Sequence, residues 1–212
     1  MRRHARWIVA VVATAAGAFL GGCGPQGSDE PLPPTQTLYD FTEQDDPGDW
    51  KIITDGVMGG KSQASFEPAD NGAALSGTIS LENFGGFAAA RAPFEKRNLK
   101  GYDGLAVRVR GDGKKYRLYI KTTALDDGLM YWAPFEPPAD EWTTMRVPFA
   151  KFAPHLRGVP LILLAAANDQ PIHSVGLLIA DKQKGPFNIQ IGSITAYRDE
   201  EPADDETSDA AP

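Results

Sequence analysis

Between residues 38 and 198 apolar side chains recur mostly at every second position. In GLAVRVR, Leu105, Val107 and Val109 alternate with Ala106, Arg108 and Arg110. In YRLYIKT, Tyr116, Leu118 and Ile120 alternate with Arg117, Tyr119 and Lys121. A period of two puts one set on each face of a strand, so both segments read as half-buried β-strands. The intervening Gly111-Asp112-Gly113 with Lys114 reads as a hairpin turn. QASFEPADNGAALSGTISL alternates around Asn71-Gly72 and predicts a second hairpin. LMYWAPF, WTTMRVPF, IHSVGLLIA and FNIQIGSITAY continue the pattern. Many short strands punctuated by Gly, Pro, Asn and Asp predict an all-β fold, an antiparallel β-sandwich or jelly roll. Only LILLAAAND, residues 161–169, reads equally as a helix or a buried strand.

Strands that alternate in direction fix which loops share an end. Two strands separate loop 55–62 from loop 83–86, and two more separate that loop from 111–114. All three are therefore expected at one end, joined by 136–141, and sandwiches carry binding loops at such ends.

The termini read differently. Arg2, Arg3 and Arg6 precede an apolar run of 14 residues, 7–20, too short for an ordinary membrane span and suited to a signal peptide over residues 1–22. The run ends in LGGC, which resembles a bacterial lipobox and makes Cys23, the sole cysteine, the expected lipidated N-terminus. Acyl chains contribute about 0.8 kcal/mol per buried CH₂, enough for stable membrane anchoring when two or more are attached. Gly24 after the cysteine resembles the pattern sorted to the outer membrane, giving an expected address in the bacterial cell envelope, facing the periplasm. Residues 23–37 read as the lipidated cysteine and a Pro-rich tether, 38–198 as one domain, and 199–212, with seven acidic residues and no base, as a disordered tail.

Charge follows these divisions. Of the formal −7, the signal segment contributes +3, the tether −2 and the tail −7, which leaves −1 for residues 38–198. No basic surface points to nucleic acid. After the signal segment only His155 and His173 remain, without a second thiol, which removes a Cys/His zinc cluster and a Cys–His dyad. Neither a metal nor another cofactor is expected, although DDPGDW, residues 45–50, has the oxygen-rich character that suits calcium. No Gly-x-Ser-x-Gly elbow is present, and Asp45-Asp46 and Asp126-Asp127 are sequence neighbours, a poor arrangement for carboxylates that must flank a bond. The chain reads as non-enzymatic.

TDGVMGGKS, residues 54–62, ends like a phosphate-binding loop, but Asp55 stands where that loop requires glycine and a strand pattern follows in place of a helix. With Trp50, GFAAAR (86–91), YDGLAVRVRGDGKKY (102–116), VPFAKFAP (147–154), Arg157-Gly158 and VGLLIADKQKGPFNIQIGSITAY (175–197), it forms an ordered series that resembles the complex I intermediate-associated protein 30 family. The resemblance covers essentially all of 38–198. It implies a galactose-binding-domain-like jelly roll and a non-catalytic role, since mitochondrial members assist assembly of respiratory complex I. It marks Asp55, Met58, Gly59, Gly60, Ser62, Gly86, Phe87 and Arg91 as motif positions. A flexible Met beside two bare backbone units suits an adaptable contact supported by Phe87 and Arg91; equally, Asp55 caps its own turn and Arg91 pairs with it. Export separates this chain from the compartment in which the mitochondrial relatives work. The expectation is thus a lipid-anchored module that binds a protein partner in the envelope and assists complex assembly. The alternative is a module for glycan or peptidoglycan, with Tyr131, Trp132 and Trp142 as a stacking platform.

Overall fold

The computed structural model describes residues 34–43, 46–93, 95–122, 129–162 and 167–199. The expected signal peptide, Cys23, the tether as far as residue 33, Asp45, Asp126-Asp127 and the tail beyond Asp199 lie outside the described residues, as does 163–166 within LILLAAAND.

Thirteen strands follow one another: β1 (Thr35–Asp40), β2 (Lys51–Thr54), β3 (Gln63–Ala69), β4 (Gly72–Ile79), β5 (Ala88–Arg91), β6 (Gly104–Arg110), β7 (Tyr116–Lys121), β8 (Leu129–Phe135), β9 (Trp142–Pro148), β10 (Ala153–Leu156), β11 (Val159–Pro160), β12 (Ser174–Ile179) and β13 (Gly185–Tyr197). Only short 3₁₀ turns accompany them among the described residues. One sheet runs β3-β4-β13-β6-β9, with β1 also on β13; the other runs β11-β10-β8-β7-β12-β5-β2. Every strand pair is antiparallel. The all-β jelly-roll sandwich read from the alternation is therefore the observed architecture.

The inward residues are the predicted ones. Leu105, Val107 and Val109 from one sheet meet Leu118, Ile120, Val175, Leu177 and Ile179 from the other in one continuous core. Long β13 serves this core over its whole length because of a bulge at Gly192. Ile189 and Ile191 face inward, the register shifts between Ile191 and Ser193, and Ile194 and Ala196 face inward again.

Three expectations are corrected. The 111–114 segment does not close a hairpin: β6 pairs with β13 and β9, whereas β7 pairs with β12 and β8, so the segment crosses between sheets. Alternation assigns a strand's faces but not its neighbours, and a Gly-rich turn serves either connection. The domain also begins before residue 38, because Thr35, Gln36 and Thr37 pair with Tyr197, Ala196 and Thr195. Polar Thr and Gln on a strand that joins the end of β13 carry no apolar signal. At the other boundary Asp199 belongs to the fold, its amide donating to Asp103 and its carboxylate pairing with Arg146.

Candidate functional site

Thr54 ends β2 and its hydroxyl accepts from Gly56 N–H, starting a 3₁₀ turn over Asp55–Met58 that Gly59 closes in the left-handed region at φ 87°. That is the usual office of a C-terminal glycine. Asp55 points inward and is fully buried. Its carboxylate takes the Ser62 amide at 2.9 Å, the Ser62 hydroxyl at 2.5 Å, the Gly86 amide at 2.6 Å and the Phe87 amide at 3.4 Å. Burial pushes the carboxyl up, but the Ser62 hydroxyl and the Gly86, Ser62 and Phe87 amides outweigh it and hold the group below its ordinary range. The Ser62 oxygen also accepts from the Ser80 amide at 3.0 Å. One carboxylate thus staples loop 55–62 to loop 80–87.

Gly60 and Gly85 are required by this staple through close approach. A Cβ on Gly60 would lie 2.4 Å from the Asp55 carboxyl, and one on Gly85 would lie 2.5 Å from its Oδ2. The loops are joined further by Asn83 Nδ2 donating to the Gly59 carbonyl at 2.9 Å and by a Lys61–Glu82 ion pair at 2.6 Å. The 3₁₀ turn is followed by β3, so the Gly-Lys-Ser ending belongs to a loop-to-strand junction, without the helix a phosphate loop needs.

The parity expectation holds, since the remaining loops gather at the same end. Lys182 Cα lies near Gly86, and Gln183 bonds both ways to the Lys115 backbone, which brings in the turn between β12 and β13. Asp112 forms a second staple, accepting from the Lys114 amide, the Tyr116 hydroxyl and the Asn188 amide. The Gly111 amide donates to the Pro138 carbonyl at 3.1 Å and connects 136–141.

The motif residues divide by role. Asp55, Gly59, Gly60, Ser62 and Gly86 build the staple. Phe87 packs on the outer face of the seven-stranded sheet beside Ala89, Tyr119 and Leu178. Arg91 does not pair with Asp55: it lies at the far end of β5, in register with Lys51, while Asp55 is filled by hydroxyl and amide donors. Nor does Asp55 cap its own turn, which Thr54 does. Met58 alone of the set projects outward, 67 % exposed, with neighbours that periodicity did not single out: Val57 at 76 % and Phe84 at 100 %. Asn83 and Phe84 both hold left-handed backbone, φ 53° and 60°. The only signal for Phe84 was an aromatic residue inside a polar, glycine-flanked loop.

The aromatic platform is not formed. Tyr131 is buried in the core, Trp132 lies on the outer face of the seven-stranded sheet, and Trp142 belongs to β9 in the other sheet, under Arg108 at 4.4 Å. Successive residues of a strand face opposite ways, so Tyr131 and Trp132 cannot share a surface. Trp132 donates its N–H to His155 Nε2 at 2.7 Å and has the Arg117 guanidinium 4.3 Å above its ring, with Arg117 held by Asp181. His155 Nδ1 is 2.9 Å from the Ala153 carbonyl, so the ring is held between Trp132 and the β10 backbone. Among the described residues no three His, Cys, Asp or Glu side chains converge to hold a metal.

Among solved structures, the chain is similar to the family 11 carbohydrate-binding module of the cellulosomal cellulase Lic26A-Cel5E of Clostridium thermocellum. The TM-score is 0.58 at 16 % identity, over 78 % of this chain and 95 % of that one. A family 11 carbohydrate-binding module from Clostridium thermocellum in complex with a β-1,3-1,4-mixed-linked tetrasaccharide gives 0.57 at 18 %, over 77 % and 95 %. At this identity the likeness concerns the fold. Among curated relatives, the mitochondrial complex I intermediate-associated protein 30 of Mus musculus is 26 % identical over 191 residues, covering 77 % of this chain and 56 % of the relative. That of Drosophila melanogaster is 25 % identical, covering 76 % and 62 %. The chain therefore spans about three-fifths of the length of these relatives. The sequence model of the family described as Complex I intermediate-associated protein 30 matches residues 39–191, most of the chain and both stapled loops. The chain belongs to the complex I intermediate-associated protein 30 family.

Proposed function

We propose that this protein is a non-catalytic, lipid-anchored binding module of the bacterial cell envelope that assists assembly of a protein complex. One observation carries the reading: the polar groups of the leading motif are consumed by the staple. The Asp55 carboxylate faces four donors and the Ser62 hydroxyl is engaged on both sides, so neither is available to a substrate. The motif's polar groups hold the loop end in place and leave contact to the residues that project from it. The names of the mitochondrial relatives support an assembly role, and the LGGC sequence supports anchoring through Cys23. Complex I itself is not proposed as the client, since export would put the domain on the wrong side of the membrane.

The test is in-situ crosslinking of the full acylated chain, then purification and identification of crosslinked partners. A stoichiometric envelope protein, retained by wild type and lost when Asp55→Ala loosens the loop end, is the expected result. Retention of glycan alone would overturn the reading. Cys23→Ser is expected to release the protein from membranes washed at about 0.5 M salt, and unchanged fractionation after that wash would refute acylation as the anchor.

A second reading, a carbohydrate-binding module, is favoured by the fold neighbours, one of them in complex with a mixed-linked tetrasaccharide. On this reading Trp132, half-buried on the outer face of the seven-stranded sheet, is a candidate stacking ring. A sugar stacking there would have to displace Arg117. Titration with mixed-linked glucan oligosaccharides while following Trp fluorescence distinguishes the two.

A further inference from the structure

The stapled loop end carries an apolar tip that the fold keeps in solvent. Val57, Met58 and Phe84 are 76, 67 and 100 % exposed, and Leu81 adds a partly exposed apolar side chain beside them. These side chains have no route inward. The Asp55 staple, the Asn83–Gly59 bond and the Lys61–Glu82 pair lock the two loops together beneath them. Two consecutive non-glycine residues, Asn83 and Phe84, are held in left-handed backbone, a conformation that persists only where its surroundings impose it. A wholly exposed phenylalanine on an imposed backbone is an arrangement for contact with something outside the chain.

The surroundings of the tip say what that something is. Lys182 and Lys184 are exposed in the adjoining turn between β12 and β13, with Lys182 Cα near Gly86 and Lys184 near enough to Glu82 to act on its carboxylate, and Lys61 is exposed within its ion pair to Glu82. Against these lysines stand two acidic side chains, Glu82, which Lys61 pairs, and exposed Asp181, which Arg117 pairs. The tip is formed by loop residues that project, not by residues lining a groove, and so demands no fixed complementary shape. Apolar side chains on a projecting rigid tip, rimmed by lysines, match the layered chemistry of an anionic bilayer surface: phosphates meet the cations and the acyl boundary takes the apolar groups. Pro34, where the described chain begins, lies at the opposite end, hydrogen-bonded to Arg198.

The geometry points to the Val57–Met58–Phe84 tip with its Lys61, Lys182 and Lys184 rim as a membrane-contact site for anionic phospholipid. It goes beyond the proposed function and does not depend on an assembly role. The test is sedimentation of the mature chain, residues 23–212, carrying Cys23→Ser, so that neither the signal segment nor an acyl chain contributes, with vesicles containing about 30 % phosphatidylglycerol in phosphatidylcholine or phosphatidylcholine alone. Binding is expected to the anionic vesicles only, weakening markedly when salt rises from about 0.05 to 0.5 M. Met58→Ser with Phe84→Ser is expected to weaken it by roughly tenfold or more, the loss expected for removing two partly inserted apolar side chains. Lys182→Glu with Lys184→Glu is expected to abolish the anionic preference. Both pairs are surface changes, so an unchanged thermal melt confirms that the fold is intact. Equal binding by the Cys23→Ser chain with and without the Ser pair overturns the proposal, as does failure of the Cys23→Ser chain to bind anionic vesicles. If the Ser pair loses a crosslinked protein partner while the Cys23→Ser chain ignores vesicles, the tip is a protein contact and the proposal is wrong.

Discussion

Asp55 shows how much a single buried carboxylate can organise. Hydrogen bonds to a charged group contribute about 1.5–3 kcal/mol each, and leaving their buried donors unpaired costs about 1–3 kcal/mol per group. Asp55→Ala strands the Ser62 hydroxyl and the amides of Ser62 and Gly86, so a loss of roughly 3–5 kcal/mol in unfolding free energy is expected, measured by denaturant titration. The pH dependence has a definite sign. Because the folded carboxyl titrates below its ordinary 3.8, the staple's contribution is complete above that pH and is lost as pH falls through the lower folded value. Wild type and Asp55→Asn should therefore differ in stability at neutral pH and converge in strong acid. A difference that grew on acidification would contradict the assignment. Gly60→Ala and Gly85→Ala each drive a Cβ into this carboxylate and should cost about 1–3 kcal/mol, while Phe84→Ser, which removes only exposed surface, should leave stability unchanged within about 0.5 kcal/mol. The sequence showed the glycines as bare backbone units but not the reason for each. Of the glycines in these loops only Gly59 and Gly86 hold positive φ, whereas Gly60 and Gly85 are dictated by the Asp55 side chain, which for Gly85 is 30 residues away in sequence.

At the level of elements, alternation identified strands and buried faces because it depends on each strand alone. Partners depend on the rest of the chain. β6 and β7 illustrate the gap: both were legible as strands, yet they sit in different sheets. β13 holds a signal that was present and unread, since the apolar positions shift phase at Gly192, which is the trace of the bulge. The outer face of the seven-stranded sheet makes its own demand on sequence. A Cβ at Gly176 would come within 2.2 Å of the Tyr119 ring, which lies across the β12 backbone and is almost wholly buried there. Gly176→Ala should displace that ring and cost about 1–3 kcal/mol by denaturant titration, whereas the double change with Tyr119→Leu should recover part of the loss. Additive losses would mean that the two residues do not press on one another.

The whole described domain has one core, to which both sheets contribute. It should unfold in a single transition, with far-ultraviolet circular dichroism and Trp fluorescence superimposing; separated transitions would show that the sheets are independent. Its two ends have different work: β1 and the last residues of β13 close the end where the described chain begins and finishes, and the stapled loops occupy the other. Sequence alone determined the all-β class, the inward faces, the family and the gathering of the glycine loops at one end. These follow from side-chain period, ordered motifs and alternating strand direction, all of which are written along the chain. Tertiary structure alone decided that Asp55 is a staple, that Tyr131, Trp132 and Trp142 point to three different places, and that Val57, Met58 and Phe84 share an exposed tip. Those are relations between segments up to tens of residues apart, set by how the two sheets pack. No local pattern carries them, because hydrogen-bond partners and solvent exposure are properties of the packed sandwich and not of any one strand.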